Sequence, residues 1–237
     1  MIPVQPPPAP PPTLLQHYKP VTADRLKRPE DSDWLMVRRT YDGWGYSPLD
    51  QITPANVGRL QPVWLMSTGM NNGHEAPPFV NDGVMFVTTS YNQLIALDAK
   101  SGEELWRFRS PSPPDARVPK PVNRGVALYG DKVFFPLGEA VLVAIDAKTG
   151  KEVWRTPVED NKKGYYMTAA PLVADGKVVV GISGGDGPIG RTAGLLRRAG
   201  RNLELGRQLR GQLPTALRSA RRRQHAVEEG RRGAADG

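Results

Sequence analysis

The side chains best suited to chemistry are few and scattered in this chain. Its three histidines, His17, His74 and His225, have no metal-like spacing. It has no cysteine, so disulfides and thiolate metal sites are excluded. No P-loop and no nucleophile elbow occurs. Any chemistry must therefore be assembled from residues far apart in sequence, and the elements that would assemble them are the next question.

An eleven-residue phrase supplies those elements. Ala96-Leu97-Asp98-Ala99-Lys100-Ser101-Gly102-Glu103-Glu104-Leu105-Trp106 returns as Ala144-Ile145-Asp146-Ala147-Lys148-Thr149-Gly150-Lys151-Glu152-Val153-Trp154, at an offset of 48 residues (144 − 96). A fixed period of that size points to a β-propeller blade or a similar sheet repeat. Each copy reads as strand, turn, strand. Val84–Thr89 and Leu94–Leu97 are β-branched or apolar runs ahead of the first turn, and Leu105–Phe108 follows it. Val133–Phe135, Val141–Ile145 and Val153-Trp154 repeat that order. In the turn, Asp can bind backbone N–H groups ahead of it, and Gly supplies a positive φ. The Ala is small enough for close sheet packing, and the Trp is large enough to fill a gap between sheets. A degenerate copy precedes both at Asn56–Trp64, with Trp64 lying 42 residues before Trp106 (106 − 64). A pair of hairpins in another antiparallel sandwich is the plainer alternative.

Composition divides the chain. Residues 1–190 carry 20 Lys+Arg and 20 Asp+Glu, a net charge of zero. Residues 191–237 carry 12 Arg, no Lys and 4 acidic residues, so the formal +8 resides in the last fifth. That tail has no aromatic residue. It reads as a nucleic-acid or membrane-binding arm, as a solvated extension, or as GC-rich DNA translated out of frame. The abrupt loss of Lys favours the last, and no nucleic-acid partner is expected. Residues 1–24 form a Pro-rich segment with a polyproline-like start at Pro3–Pro12. No secretory signal is visible. No run of 18 apolar residues occurs, so no membrane span is expected. The expected organisation is 1–24, a propeller portion over 25–190, and the tail over 191–237.

Resemblance adds the chemistry. Asp33-Trp34-Leu35, then Tyr41-Asp42-Gly43-Trp44-Gly45-Tyr46-Ser47-Pro48-Leu49-Asp50-Gln51-Ile52 and Asn56-Val57-Gly58-Arg59-Leu60, resemble the opening of quinoprotein alcohol dehydrogenases. These are eight-bladed propellers that use pyrroloquinoline quinone (PQQ), and their blades carry a tryptophan-docking motif similar to the repeated phrase. The resemblance covers about residues 25–189. It implies an all-β partial β-propeller, about three of eight blades, ending in an irregular Arg-rich tail. It also implies site residues. Glu75 matches a carboxylate at the quinone rim. Arg124 matches the cation beside the reduced carbonyl, where it stabilises developing negative charge. Thr168 matches a hydroxyl on a cofactor carboxylate. Ser183, Gly184 and Gly185 match a Gly-rich stretch whose backbone N–H groups approach an anion. Asp186 matches an acidic Ca²⁺ ligand, although the family usually has Glu there.

Two departures are visible. Val118 and Pro119 stand where many members have an adjacent Cys pair, so that disulfide is absent. The family's calcium-ligating Asn, its Asp base and the Trp beneath the quinone lie beyond the matching region, so no catalytic residue is assigned. The resemblance implies the N-terminal part of a periplasmic enzyme that oxidises alcohols to aldehydes with PQQ and Ca²⁺ and passes electrons to a cytochrome. As this chain alone it is expected to be inactive, with the reading frame lost near residue 190. A non-catalytic propeller-type scaffold for protein binding is the alternative of another class.

Overall fold

A computed structural model describes residues 12–71, 73–183, 192–199 and 202–206. Three four-stranded antiparallel sheets follow one another along the chain, each an up-and-down meander. The first holds β1 (Phe79–Asn81), β2 (Val84–Thr89), β3 (Gln93–Asp98) and β4 (Glu104–Arg109). The second holds β5 (Ala127–Tyr129), β6 (Lys132–Leu137), β7 (Val141–Asp146) and β8 (Glu152–Pro157). The third holds β9 (Leu172–Ala174), β10 (Lys177–Ile182), β11 (Thr192–Ala199) and β12 (Asn202–Gly206). This is the blade pattern of a propeller, with three blades present.

Sequence dictates the inner strands. Every residue from Gln93 to Leu97 is buried in β3, and Leu142 to Ile145 are buried in β7. A strand covered on both faces reads as a continuous apolar run. Of the outer strands, β4 is half-buried between exposed ends and β8 alternates between exposed and half-buried residues.

The repeated phrase closes each blade in the same way. Ala96 lies across from Phe86 on one side and Trp106 on the other. With only a methyl between them, the Phe86 and Trp106 rings come to 5.8 Å. Phe134, Ala144 and Trp154 repeat this row, with rings 5.9 Å apart. A register shift follows Ala96 in one blade and Ala144 in the other. Asp98 Oδ1 accepts from the N–H of Lys100 (2.7 Å) and Ser101 (3.1 Å), and Gly102 takes φ +76°. Asp146 does the same for Lys148 (3.1 Å) and Thr149 (2.9 Å), with Gly150 at φ +67°.

Tryptophans then join each segment to the next. The Trp106 indole N–H donates to the Ala147 carbonyl at 2.9 Å. Trp64 donates to the Ala99 carbonyl at 3.1 Å. The degenerate copy at Asn56–Trp64 thus behaves as a copy where it matters. It contains a 3₁₀ turn at Val57–Arg59 and no strand, yet its Trp docks on the first blade as Trp106 docks on the second. Between the first two sheets, Phe108 meets Phe135 edge to face at 6.2 Å.

Residues 12–41, ahead of the first blade, pack onto the sheets. The helices α1 (Thr13–Gln16) and α2 (Ala23–Lys27) bury Leu15 and Leu26, and Tyr18, Val21, Leu35 and Met36 join the same core. Val21 pairs with Gly130 after β5 (2.9 and 2.7 Å), and Trp34 pairs with Val80 in β1 (2.9 and 3.0 Å). Tyr41 Oη donates to the Val173 carbonyl in β9 at 2.6 Å. Residues 12–41 therefore strap all three blades together. The line drawn at residues 24 and 25 runs through α2.

The stretch expected to be irregular from residue 191 includes two strands. β11 pairs with β10 from Lys177↔Arg197 to Ile182↔Thr192, and β12 pairs with β11. β10 pairs with β9 on one side, and its other row of backbone N–H and C=O groups pairs with β11, a kind of pairing that depends little on side chains.

Candidate functional site

The site residues sit just ahead of the first strand of each blade. Glu75 precedes β1, Arg124 precedes β5 and Thr168 precedes β9, each by three or four residues. The equivalent position of three successive blades thus brings residues 49 and 44 apart in sequence (124 − 75 and 168 − 124) to one place.

Backbone pairing sets their spacing. His74 and Asn123 form a parallel bridge, which lays Glu75 beside Arg124. The Arg124 N–H donates to the Thr168 carbonyl at 3.0 Å. Asn123 is buried, donates to the Pro136 carbonyl (2.9 Å) and accepts from the Gly125 N–H (2.8 Å). Gly125 has φ +124°, and a Cβ there would stand 2.5 Å from the Phe79 ring, so only glycine fits.

The side chains complete the cluster. Arg124 Nη2 lies 2.6 Å from Glu75 Oε2, and Arg124 Nη1 donates to Thr168 Oγ1 at 2.6 Å. Thr168 is buried, whereas the Arg124 and Glu75 side chains are 45% and 43% exposed. An ion pair this wet is worth about 0–1 kcal/mol. It does not hold the site together; the backbone does.

Ser183 pairs with Tyr166, two residues ahead of Thr168, through hydrogen bonds of 2.8 and 3.3 Å. The structure thus gathers Glu75, Arg124 and Thr168, with Ser183 on the adjoining backbone. Gly184, Gly185 and Asp186 lie outside the described residues. No group of three or more His, Cys, Asp or Glu side chains suited to a metal occurs among the described residues.

A cation and a hydroxyl side by side, next to a carboxylate, form a donor set suited to an anionic, oxygen-rich ligand such as PQQ. Val118, at the position of the absent Cys pair, packs where a Cβ on Gly138 would stand, 2.7 Å from its Cγ1. Residue-by-residue reading missed Asn123, Asn92 and Glu139. Asn123 sits one place before Arg124, and only the fold shows that it is buried. Among the described residues no helix is long and apolar enough to cross a membrane.

Comparison with known proteins bears on the family and the fold. Residues 34–197 match the family model described as PQQ, glucose/ethanol/alcohol dehydrogenase, beta-propeller domain. The chain is 40% identical over 153 residues to the quinoprotein alcohol dehydrogenase PedH of Pseudomonas putida, covering 63% of this chain and 26% of that protein. It is 45% identical over 156 residues to a quinoprotein ethanol dehydrogenase of Pseudomonas aeruginosa, covering 62% and 25%. Among solved structures, a europium-containing methanol dehydrogenase superposes with a TM-score of 0.69 at 35% identity, over 73% of this chain and 31% of that one. A quinohemoprotein alcohol dehydrogenase from Comamonas testosteroni superposes at 0.70 and 32% identity, over 78% and 28%. The chain thus spans about a quarter of the length of the curated relatives it matches. With three four-stranded blades and a family match over more than half its residues, the chain belongs to the PQQ β-propeller family of glucose, ethanol and alcohol dehydrogenases.

Proposed function

We propose that this chain builds one wall of the PQQ site of an alcohol dehydrogenase. The observation that carries the reading is the Glu75–Arg124–Thr168 cluster, drawn from the equivalent position of three blades. PQQ, when bound, supplies the two-electron acceptor for the hydride that leaves the alcohol carbon.

The chain's own residues bind and polarise. The Arg124 guanidinium offers fixed N–H donors to an oxygen that gains negative charge, at no cost of reorientation. Thr168 Oγ1 accepts from Arg124, so its own hydrogen is available to a carboxylate of the ligand. Glu75 balances the guanidinium charge and fixes the plane of its fork. Ser183, Gly184 and Gly185 are proposed to bring backbone N–H groups to the anionic rim.

Asp186 is proposed as a ligand of Ca²⁺, which prefers carboxylate and carbonyl oxygens. A relative described as europium-containing makes a trivalent ion the natural competitor. An alcohol as substrate, a cytochrome as acceptor and a periplasmic location are proposed from the relatives. Several of these are named quinohemoproteins or dehydrogenase subunits. No proton-abstracting base is assigned in this chain, and none is proposed.

The test is a PQQ titration of the 237-residue chain, followed by intrinsic fluorescence, with and without CaCl₂. Saturable binding that R124A abolishes supports the reading. Binding that R124A and T168V leave unchanged defeats it.

A further inference from the structure

Arg124 ends a difficult piece of chain. Residues 110–123, between β4 and β5, hold five prolines and belong to no helix or strand. Proline limits φ but provides no anchor, since it lacks an N–H. Val118 and Pro119 cannot form a disulfide, so whatever order this stretch has is non-covalent.

A ring of hydrogen bonds, buried at two of its three members, anchors it. Asn92, in the turn between β2 and β3, is 7% exposed, and so is Glu139, in the turn between β6 and β7. Asn92 Nδ2 donates to Glu139 Oε2 at 2.7 Å and to Ser112 Oγ at 3.1 Å. Ser112 Oγ donates to the same Glu139 oxygen at 3.1 Å. Asn92 Oδ1 accepts from the Gly138 N–H at 2.8 Å. Every polar atom of the Asn92 carboxamide is thus used, and the ring joins two blades to the proline-rich stretch. Asn92 reaches it from φ +56°, beside Tyr91 at φ +60°. Left-handed backbone at two successive non-glycine residues is strained, and such strain gathers where function demands a fixed geometry.

The ring also reaches the site from its other side. Gly138 carries Val118 against its α-carbon, and its carbonyl accepts from the Met167 N–H at 3.2 Å. Met167 adjoins Thr168, the residue that bonds Arg124 through both backbone and side chain. The same turn therefore bears on both members of the Arg124–Thr168 pair.

We propose that Asn92, Glu139 and Ser112 are positioning residues for Arg124 and Thr168, and that they act through hydrogen bonding rather than charge. This rests on the reading of that pair as a PQQ-binding wall. The three residues touch neither ligand nor reacting atoms; they fix the approach of the segment that does.

Hydrogen exchange and PQQ titration on the full chain test it together. N92A and E139L should speed exchange of the amides over residues 112–124 by about fivefold to tenfold for each hydrogen bond lost. Protection in β6 and β7 should stay intact. The same variants should weaken PQQ binding by a similar factor. E139Q keeps an acceptor oxygen in place and should restore both, which a purely electrostatic role would not permit. S112A removes only an exposed hydroxyl and cannot unfold the core, so its local loosening reads the ring even if N92A melts. Unchanged exchange over 112–124 in S112A and N92A, or E139Q as damaging as E139L, overturns the proposal. Tight PQQ binding by N92A with loosened exchange also overturns it, while leaving the cofactor reading standing. A wild-type chain that binds no PQQ fails the cofactor reading instead, and the exchange data then decide the ring alone.

Discussion

The Trp106 indole lies flat against Gly150 of the next blade. A Cβ on Gly150 would stand 2.7 Å from Trp106 Cδ2, and the indole N–H is bonded to the Ala147 carbonyl three residues earlier. Gly150 is required twice over, by its positive φ and by the ring above it. Gly150→Ala should therefore destabilise the chain by about 2 kcal/mol or more, from left-handed strain and overpacking together. Trp106→Phe, which keeps a ring and loses the donor, should cost about 1 kcal/mol. Urea unfolding followed by tryptophan fluorescence and circular dichroism measures both. A Gly150→Ala chain as stable as wild type would mean that the blades are not joined through this contact.

Arg124 and Glu75 make the opposite prediction. Their ion pair is half exposed, so Arg124→Ala and Glu75→Gln should each shift unfolding free energy by no more than about 1 kcal/mol. The effect on PQQ should be large for Arg124. Loss of a charge-assisted hydrogen bond corresponds to about tenfold to a hundredfold in affinity. Equal losses of stability and affinity would identify Arg124 as a structural residue.

Acid should loosen the N-terminal strap. Burial works against ionisation of Glu30, but hydrogen bonds from Lys19, the backbone and Arg25 outweigh it and bring its carboxyl from an ordinary 4.5 down to about 2. Arg25 holds it from Nε at 2.9 Å while reaching buried Asp33 with Nη2 at 2.6 Å. A depressed carboxyl stabilises the fold above its unfolded value, and that contribution disappears as pH falls from about 4.5 toward 2. Glu30→Gln should lower stability at neutral pH and flatten the decline over that window, so that variant and wild type converge near pH 2. Denaturant melts between pH 2 and pH 7 give the comparison.

Turnover should be absent. On the proposed reading the described residues supply a binding wall, and no base has been assigned to take the alcohol proton. The chain incubated with PQQ and CaCl₂ should give no dye-linked oxidation of ethanol above a chain-free control. Alcohol-dependent dye reduction that tracks the chain concentration would contradict this.

The coding DNA offers a check that needs no protein. One of the two other reading frames after Gly190 should yield a further A-x-D-x-x-x-G-x-x-x-W phrase at blade spacing. Its absence from both frames would leave the Arg-rich composition of residues 191–237 to be explained by selection on the protein.

The repeated phrase alone determined the strands, the Asp–Gly turns and the blade period, because each depends on neighbours within a few residues. Hydrophobic runs specify buried strands, Asp binds the amides just ahead of it, and glycine admits a positive φ wherever it stands. The family was legible for the same reason, from contiguous words such as Tyr41–Ile52. Tertiary structure decided what those words join. That Trp64 docks although its copy of the phrase forms no strand depends on a turn some 35 residues further on. That residues 12–41 clasp three blades was hidden, because buried Leu15 and Val21 look in sequence like ordinary apolar residues of a Pro-rich segment. Glu75, Arg124 and Thr168 were nameable by resemblance, but their meeting was not. Only the bridge between His74 and Asn123 and the bond from Arg124 to the Thr168 carbonyl, made between successive sheets, bring three residues so distant in sequence within hydrogen-bonding distance. Strand pairing beyond residue 191 was equally unreadable, because a sheet edge recruits backbone and the sequence there advertises only its side chains.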